Sequence, residues 1–415
     1  MRMETLRPIG TLTRLRKALA LDAPARTRFL ADLVALDTEN PPGRNYPQCL
    51  DYLESQCRAA GLACRRLTTS PAHRGTAGAR TALLAVHGSG PRLLYFHGHY
   101  DVVPAQSRQQ FVPRRKGHFL FGRGSADMRG GLAAMLWAVK AIRECGFNLR
   151  GRIGLLFVPD EETGGRLGTQ RLAEQGLLDP GAIGMLTPEP TSGLVWNACR
   201  GAISLRVRVG GKTAHVGQHF RGENAFVRMH HVVAELLKLQ REVGKRRTRF
   251  RILPSRARES ILLIGGASGG GSSFNAVPEE CWFTVDRRVN PEEELAGETR
   301  RLMAVFDRLR LQGIPIDVEV LQEGWSACSD EHGPLGNILA RSIAAVTGKR
   351  PAFEMCPGLL ETRFYAARGI PAYAYGPGLL SVSHGPNEYV DLRRVADCAA
   401  VYALSALHLL DGPAT

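Results

Sequence analysis

Ile153-Gly154-Leu155-Leu156-Phe157-Val158-Pro159-Asp160-Glu161-Glu162-Thr163-Gly164-Gly165 is an apolar run that ends abruptly on three consecutive acids. A short apolar run closed by proline and glycine reads as a strand of a sheet core. In open α/β sheets ligands gather at the carboxyl ends of the strands, which is where this triplet falls. Adjacent carboxylates repel one another, so grouping them there calls for a cation.

Working outward, Leu83–Val86 and Leu93–Phe96 read as further short buried strands, and Gly130–Ile142 as a helix. Another helix spans about Arg26 to Leu36 and is stopped by Pro41, Pro42 and Gly43. Strands alternating with helices predict an α/β sheet that is at least partly parallel. The texture changes near Cys199. Ala202–Val209 alternates as a strand does, Glu223–Val243 has helical spacing, and Ile261–Ile264 and Cys281–Val285 are strand-like. Gly265–Ser273 between them reads as a flexible connector, and Pro291–Leu311 as a second long helix. From about Val318 the α/β pattern returns, with helices near Pro334–Val346 and Leu392–Leu410. The predicted organisation is one main α/β domain in two segments, residues 1–198 and 315–415, interrupted by a two-layer α/β insert at 199–314.

A chain of 415 residues exceeds one ordinary core, in keeping with two domains. The formal net charge is +15. Most of the excess is scattered arginine, and the densest run is Lys245, Arg246, Arg247, Arg249 and Arg251, then Arg256 and Arg258. Phe250 is the aromatic inside that run and no nucleic-acid motif accompanies it, so a solvated basic face is expected rather than a nucleic-acid partner. The charge suits the steering of anionic substrates. The nine cysteines are odd in number and irregularly spaced, without a Cys-x-x-Cys pair, which fits free thiols in a reducing compartment. The N-terminus lacks the apolar core of a signal peptide, and no run is long enough to span a bilayer. The expected setting is the cytoplasm.

Four other segments carry histidine or acid in shaped surroundings. Phe96-His97-Gly98-His99-Tyr100-Asp101 follows a strand, and residues two apart on an extended chain point the same way, so Asp101 can hydrogen-bond the ring of His99. Gly122 to Gly131 holds Asp127 before a helix N-terminus, where a plain N-cap aspartate would look alike. Glu189 stands between Pro188 and Pro190, which stiffen it. His384 sits in Ser383-His384-Gly385-Pro386-Asn387-Glu388. Each is weak alone. Together they supply imidazoles and carboxylates suited to zinc or a similar first-row ion. A bridging carboxylate would set two ions about 3.5–4 Å apart, and one acid of the triplet could bind metal while its neighbour serves as general base.

In this order and spacing the segments resemble the family of acetylornithine deacetylase, succinyl-diaminopimelate desuccinylase, aminoacylase and carboxypeptidase G. The likeness runs from Asp37-Thr38-Glu39-Asn40-Pro41-Pro42-Gly43 to the C-terminus. It implies a zinc-peptidase-like catalytic domain, a mixed sheet flanked by helices, with the insert serving as a lid and dimerisation domain. It implies two Zn2+ per subunit, replaceable by Co2+ or Mn2+: His99, Asp127 and Glu189 on one, Asp127, Glu162 and His384 on the other. Glu161 would be the general base, with Asp101 orienting His99. In Gly211-Lys212-Thr213-Ala214-His215, His215 would reach the partner subunit's site and hold the developing oxyanion. Asn275 and Arg288 would bind a substrate carboxylate. Where relatives commonly carry Gly-Thr-Asp before Ala-Arg-Phe, this chain has Leu359-Leu360-Glu361-Thr362-Arg363-Phe364; that region lines the substrate pocket in relatives, so Glu361 is expected there.

The implied activity is hydrolysis of the amide in an N-acyl amino acid by a homodimer. Dipeptidase, carboxypeptidase, aminopeptidase or N-carbamoyl hydrolase activity would use the same residues. A metal-binding dimer without catalysis is the reading from another class, and it leaves Glu161 without a task. Nucleic-acid binding through Lys245–Arg258 would instead show strong salt dependence.

Overall fold

The apolar runs become strands of one mixed sheet. The computed structural model describes residues 9–70 and 79–410. They fall into two compact units: one holds the chain up to Asn197, then Ser329–Phe353 and the chain from Glu361, and the other holds Ala198–Cys328 and Glu354–Leu360.

In the first unit α1 (Ile9–Leu21), α2 (Ala23–Ala35) and α3 (Tyr46–Ala59) precede β1 (Ala63–Ser70), β2 (Arg80–Gly88) and β3 (Arg92–His99). Short strands β4 (Arg114–Lys116) and β5 (Phe119–Phe121) lead to α4 (Gly130–Glu144), β6 (Gly151–Val158), α5 (Thr169–Glu174), β7 (Ala182–Thr187) and β8 (Val195–Cys199). The second unit contains β9 (Gly201–Gly210), β10 (Ala214–His215), α6 (Ala225–Val243), β11 (Ile261–Gly270), β12 (Ala276–Val277), β13 (Glu280–Val289), α7 (Leu295–Leu311), β14 (Ile316–Gly324) and β15 (Ala327–Cys328). The chain then adds α8 (Pro334–Thr347), β16 (Phe353–Cys356), α9 (Thr362–Ala366), β17 (Ala372–Ala374), β18 (Tyr389–Asp391) and α10 (Leu392–Leu410).

Strand order in the first unit's main sheet is β1-β2-β6-β3-β7-β17-β8. β6, β3 and β7 are parallel neighbours, whereas β1–β2, β2–β6 and β17–β8 are antiparallel. Residues Gly130–Ile142 of α4 are buried on every side except at Lys140, as expected of a helix apolar all round. α4 packs on α10, and both touch β3 and β6. Each fully buried Leu, Ile or Phe there stabilises the fold by about 1.5–3 kcal/mol. That packing fixes where the carboxyl ends of β6, β3 and β7 emerge. Among the described residues no helix is long and apolar enough to cross a membrane, and the cysteines are free thiols.

The second unit is a four-stranded antiparallel sheet, β11-β13-β9-β14, with α6 and α7 packed on it. Asn224 starts α6, its side chain accepting the amides of Phe226 and Val227. Two expectations need correction. The unit does not end at residue 314: β14 pairs along β9 from Ile316 to Gly324, and 354–360 also belong to it. The boundary escaped notice because a β-strand of the insert and the returning α/β pattern share one texture. Gly265–Ser273 is not simply a connector either. β11 continues to Gly270 past a bulge after Ile264, pairing Gly269 with Trp282 and Gly270 with Cys281. The glycines suit this edge because a Cβ on Gly269 would lie 3.0 Å from the Trp282 indole.

Several arginines of the basic run are engaged. Arg246 donates to Glu293 and Glu298 at 2.7 Å each, and Arg251 pairs with Glu354. Buried Arg287 joins the same two acids at 2.6 and 2.8 Å. Burial alone would raise the Glu293 carboxyl, but bonds from Ser260, the Asn290 amide and Arg246 hold it below the ordinary value of 4.5. A carboxyl depressed in the folded state adds stability above its unfolded pKa and loses it as pH falls through the folded value. Glu293→Gln should therefore lower the urea midpoint at pH 7, and the gap from wild type should close as the pH falls below 4.5. A gap independent of pH in that range would contradict this account.

Candidate metal centre

Three adjacent parallel strands deliver the candidate residues. His99 is the last residue of β3, the Asp160–Glu162 turn follows β6, and Glu189 follows β7. The sheet does not stop before His99, which pairs in register with Val158. Asp127 stands just ahead of α4, and His384 precedes β18.

Asp127 is the centre of the arrangement. Its Oδ1 lies 3.3 Å from His99 Nε2 and its Oδ2 lies 3.3 Å from His384 Nε2. His384 Nε2 is also 3.4 Å from Glu162 Oε2. Two groups of potential ligand atoms result, His99–Asp127–Glu189 and Asp127–Glu162–His384, each with its atoms within 4.8 Å of one another and Asp127 common to both. The structure thus brings together the five residues expected to ligate.

The neighbours free the right atoms. His99 Nδ1 is 3.0 Å from the Asp101 carbonyl, which places the ring proton on Nδ1 and leaves Nε2 its lone pair. The Asp101 carboxylate lies farther from that nitrogen, at 3.5 Å. It accepts instead the amides of Glu161 and Glu162 at 3.3 and 3.2 Å, and Asn40 Nδ2 at 2.9 Å. Glu162 Oε1 is held by the Val103 amide, leaving Oε2 facing His384. Asp160 ties down the turn itself, accepting from Leu167 N and Thr163 Oγ1. Of the acidic triplet, Glu161 and Glu162 are therefore left for chemistry. Gly131 lets α4 approach Glu189, since a Cβ there would be 2.5 Å from the Pro188 carbonyl.

Electrostatics shows how strongly these residues act on one another. Burial, with Asp127, Glu361 and Glu162 nearby, pushes the Glu189 carboxyl up to about 8 despite His99. Burial likewise raises Glu162 and, more strongly, Glu161. Asp127 and Glu162 push His384 up to about 10. Asp127 goes the other way: its contacts with His384 and His99 outweigh burial and hold it down. Clustered buried carboxylates with imidazole nitrogens form the mixed donor set that divalent first-row ions take, so the residues fit a metal pair.

The remaining candidates stand outside the two ligand groups. Glu361 is 2% exposed, its Oε2 2.6 Å from buried His97 Nε2, and its Oε1 occupies the space a Cβ on Gly165 would need. It is a packed side chain rather than an open pocket wall. His215, Asn275 and Arg288 belong to the second unit. His215 is exposed, and its ring accepts the Gly217 amide. The Asn275 carbonyl accepts the Val216 amide beside it. Arg288 is paired with Asp286 at 2.8 Å. Sequence reasoning missed Asn40, His97, Arg123 and Glu388. Glu388 had one available signal, an acid in the same shaped loop as His384.

Residues 95–408 match the model of peptidase family M20/M25/M40, and the chain belongs to that family. It is a metal-dependent amide hydrolase of the peptidase and desuccinylase type. Succinyl-diaminopimelate desuccinylase of Cupriavidus necator is 27% identical over 365 residues, covering 85% of this chain and 92% of that one. In fold, the dipeptidase Dug1p of Saccharomyces cerevisiae matches with a TM-score of 0.79 at 15% identity, covering 97% of this chain and 99% of that one. Bacillus subtilis YxeP, a dinuclear metal-binding peptidase of the M20 family, matches at 0.62 and 14% identity, covering 93% and 98%.

Removing the Asp101 carboxylate strands the amides of Glu161 and Glu162 in a buried place and leaves Asn40 Nδ2 with Asp160 and Thr163 as its acceptors. Asp101→Ala should destabilise the first unit by about 2 kcal/mol or more, read as a shift in urea midpoint. A midpoint within error of wild type would mean these bonds are replaced by water.

Proposed function

We propose that this protein hydrolyses the amide bond of an N-acyl amino acid, a deacetylase- or desuccinylase-like reaction, at a two-metal centre. The observation that carries the reading is the Asp127 carboxylate, with one oxygen facing each histidine, and Glu161 beside both groups. His99, Asp127 and Glu189 would hold one ion, and Asp127, Glu162 and His384 the other, with zinc the expected metal and cobalt or manganese able to replace it. A bound metal pair supplies Lewis-acid polarisation of the amide carbonyl and makes water a stronger acid.

Glu161 then acts as general base. Burial raises its pKa, which makes its carboxylate a better proton acceptor. It takes the proton of the attacking water and passes it to the leaving amine nitrogen as the C–N bond breaks. The Asp101 carboxylate holds the backbone of Glu161 and Glu162 while this happens. Asp101 also fixes the tautomer of His99 through its carbonyl.

The second unit takes the lid and dimerisation roles in this reading. His215 would stabilise the oxyanion in the partner subunit's site, and Asn275 and Arg288 would hold the substrate carboxylate, with Arg288 exchanging Asp286 for substrate. Glu361 would shape the pocket from behind Gly165. The enzyme would work in the cytoplasm as a homodimer. A dipeptidase uses the same machinery and differs in what flanks the scissile bond.

The test is amine release from N-acetyl, N-succinyl and N-carbamoyl amino acids and dipeptides, after stripping metal with a chelator and restoring zinc, cobalt or manganese. Activity should vanish on stripping and return with metal. Glu161→Gln should lower kcat by about 10²–10⁴-fold with metal content unchanged. Cleavage of dipeptides alone would transfer the assignment to a dipeptidase. A Glu161→Gln protein as active as wild type would remove the general base from this scheme.

A further inference from the structure

One buried carboxylate outside the ligand set bonds the Asp127 turn and, through Arg123, reaches the His384 loop. Glu388 is 1% exposed. Its Oε1 accepts the amides of Ala126 and Asp127 at 2.9 and 3.1 Å. Its Oε2 accepts the Gly124 amide at 2.9 Å and Arg123 Nη1 at 2.8 Å. Its own carbonyl receives the Gly122 amide at 3.0 Å. Arg123, equally buried, extends Nη2 to the carbonyl of His384 at 3.2 Å. Gln110 adds a bond from its Nε2 to the Gly385 carbonyl, and its own carbonyl receives the Arg123 amide.

The local backbone shows why such a latch is needed. Gly124 has φ +78°, and a Cβ there would lie 2.5 Å from Val102 Cγ1. His384 also sits in the left-handed region, at φ +63°, which a non-glycine residue adopts only when its surroundings hold it. Neither segment is part of a regular helix or strand. The donors that would otherwise be orphaned in the 124–127 turn all converge on one carboxylate, and charge-assisted bonds of this kind are directional and strong.

We propose that Glu388, with Arg123, is a positioning pair that sets Asp127 and His384 in register with each other and so assembles the Asp127–Glu162–His384 group. The inference rests on the two-metal reading above. It carries an asymmetry. The latch governs two of the three ligands in that group but only Asp127 in the His99–Asp127–Glu189 group. Its loss therefore weakens one ion more than the other, whereas a general fold staple would weaken both alike.

The experiment measures zinc stoichiometry and affinity by competition with a chromogenic chelator, on full-length wild type, Glu388→Gln and Glu388→Asp, beside thermal melts. Wild type should bind two ions. Glu388→Gln should keep one at near wild-type affinity and lose the other by at least tenfold, with kcat falling more than KM rises. Glu388→Asp should recover part of the second affinity. Where Glu388→Gln fails to fold, Arg123→Lys is read instead; it keeps a positive charge beside Glu388, loses the reach to His384, and should show the same selective loss. Two ions bound as in wild type, or equal weakening of both with a lowered Tm, would overturn the inference while leaving the two-metal reading intact. A wild-type protein that takes up no zinc would overturn both.

Discussion

Asp127 shares its two oxygens between two histidines that arrive from opposite ends of the chain. Everything else in the first unit is arranged so that this carboxylate can be buried beside Glu161, Glu162 and Glu189 without the group flying apart. Like charges at such short range in a low-dielectric setting are costly, and the raised carboxyls of Glu189, Glu162 and Glu161 record that cost. The imidazoles relieve it locally, which is why Asp127 alone among these acids is held down. A site under this tension is suited to divalent cations, whose positive charge offsets the mutual repulsion of its carboxylates.

Holding such a site together is the work of neutral and charged donors one step back. The Asp101 carboxylate collects the amides of Glu161 and Glu162 together with Asn40. Asp160 closes the same turn from below through Leu167 and Thr163. Glu388 does the equivalent for the Asp127 turn. In each case an acid is used as an acceptor for backbone amides rather than as a ligand. The acids of this region therefore divide into those whose lone pairs are already taken and those whose oxygens remain open. Glu361 stands between the two kinds: its Oε2 meets buried His97 behind the Gly165 turn, while its buried Oε1 has no hydrogen-bond partner.

The second unit solves a different problem with the same chemistry. Its basic run is not a bare cationic face: Arg246 and the buried Arg287 converge on Glu293 and Glu298, and Arg251 meets Glu354. The net charge of +15 therefore overstates the free charge on this surface. Arg288, expected to face substrate, has its own intrachain partner in Asp286.

The sequence by itself determined the parallel strands, the all-apolar helix α4, the existence of an insert and the five residues that the fold gathers into two candidate ligand groups. Each of these leaves a local mark: an apolar run, a period, a change of texture, or an acid or histidine beside glycine and proline. The residues of Asp160-Glu161-Glu162 did not themselves tell which acid stays open, a choice that came from the family resemblance, because it depends on Thr163, Leu167 and the distant Asn40 and Asp101 meeting at one turn. Nor could the sequence place the end of the insert, since β14 is recognisable as part of it only by pairing with β9. Glu388 and His97 stayed invisible for the same reason. Their roles lie in contacts over more than 260 residues of chain, and long-range hydrogen bonding, unlike hydrophobic periodicity, has no local signature. Only the tertiary structure shows which of the carboxylate oxygens are taken by backbone donors and which remain open.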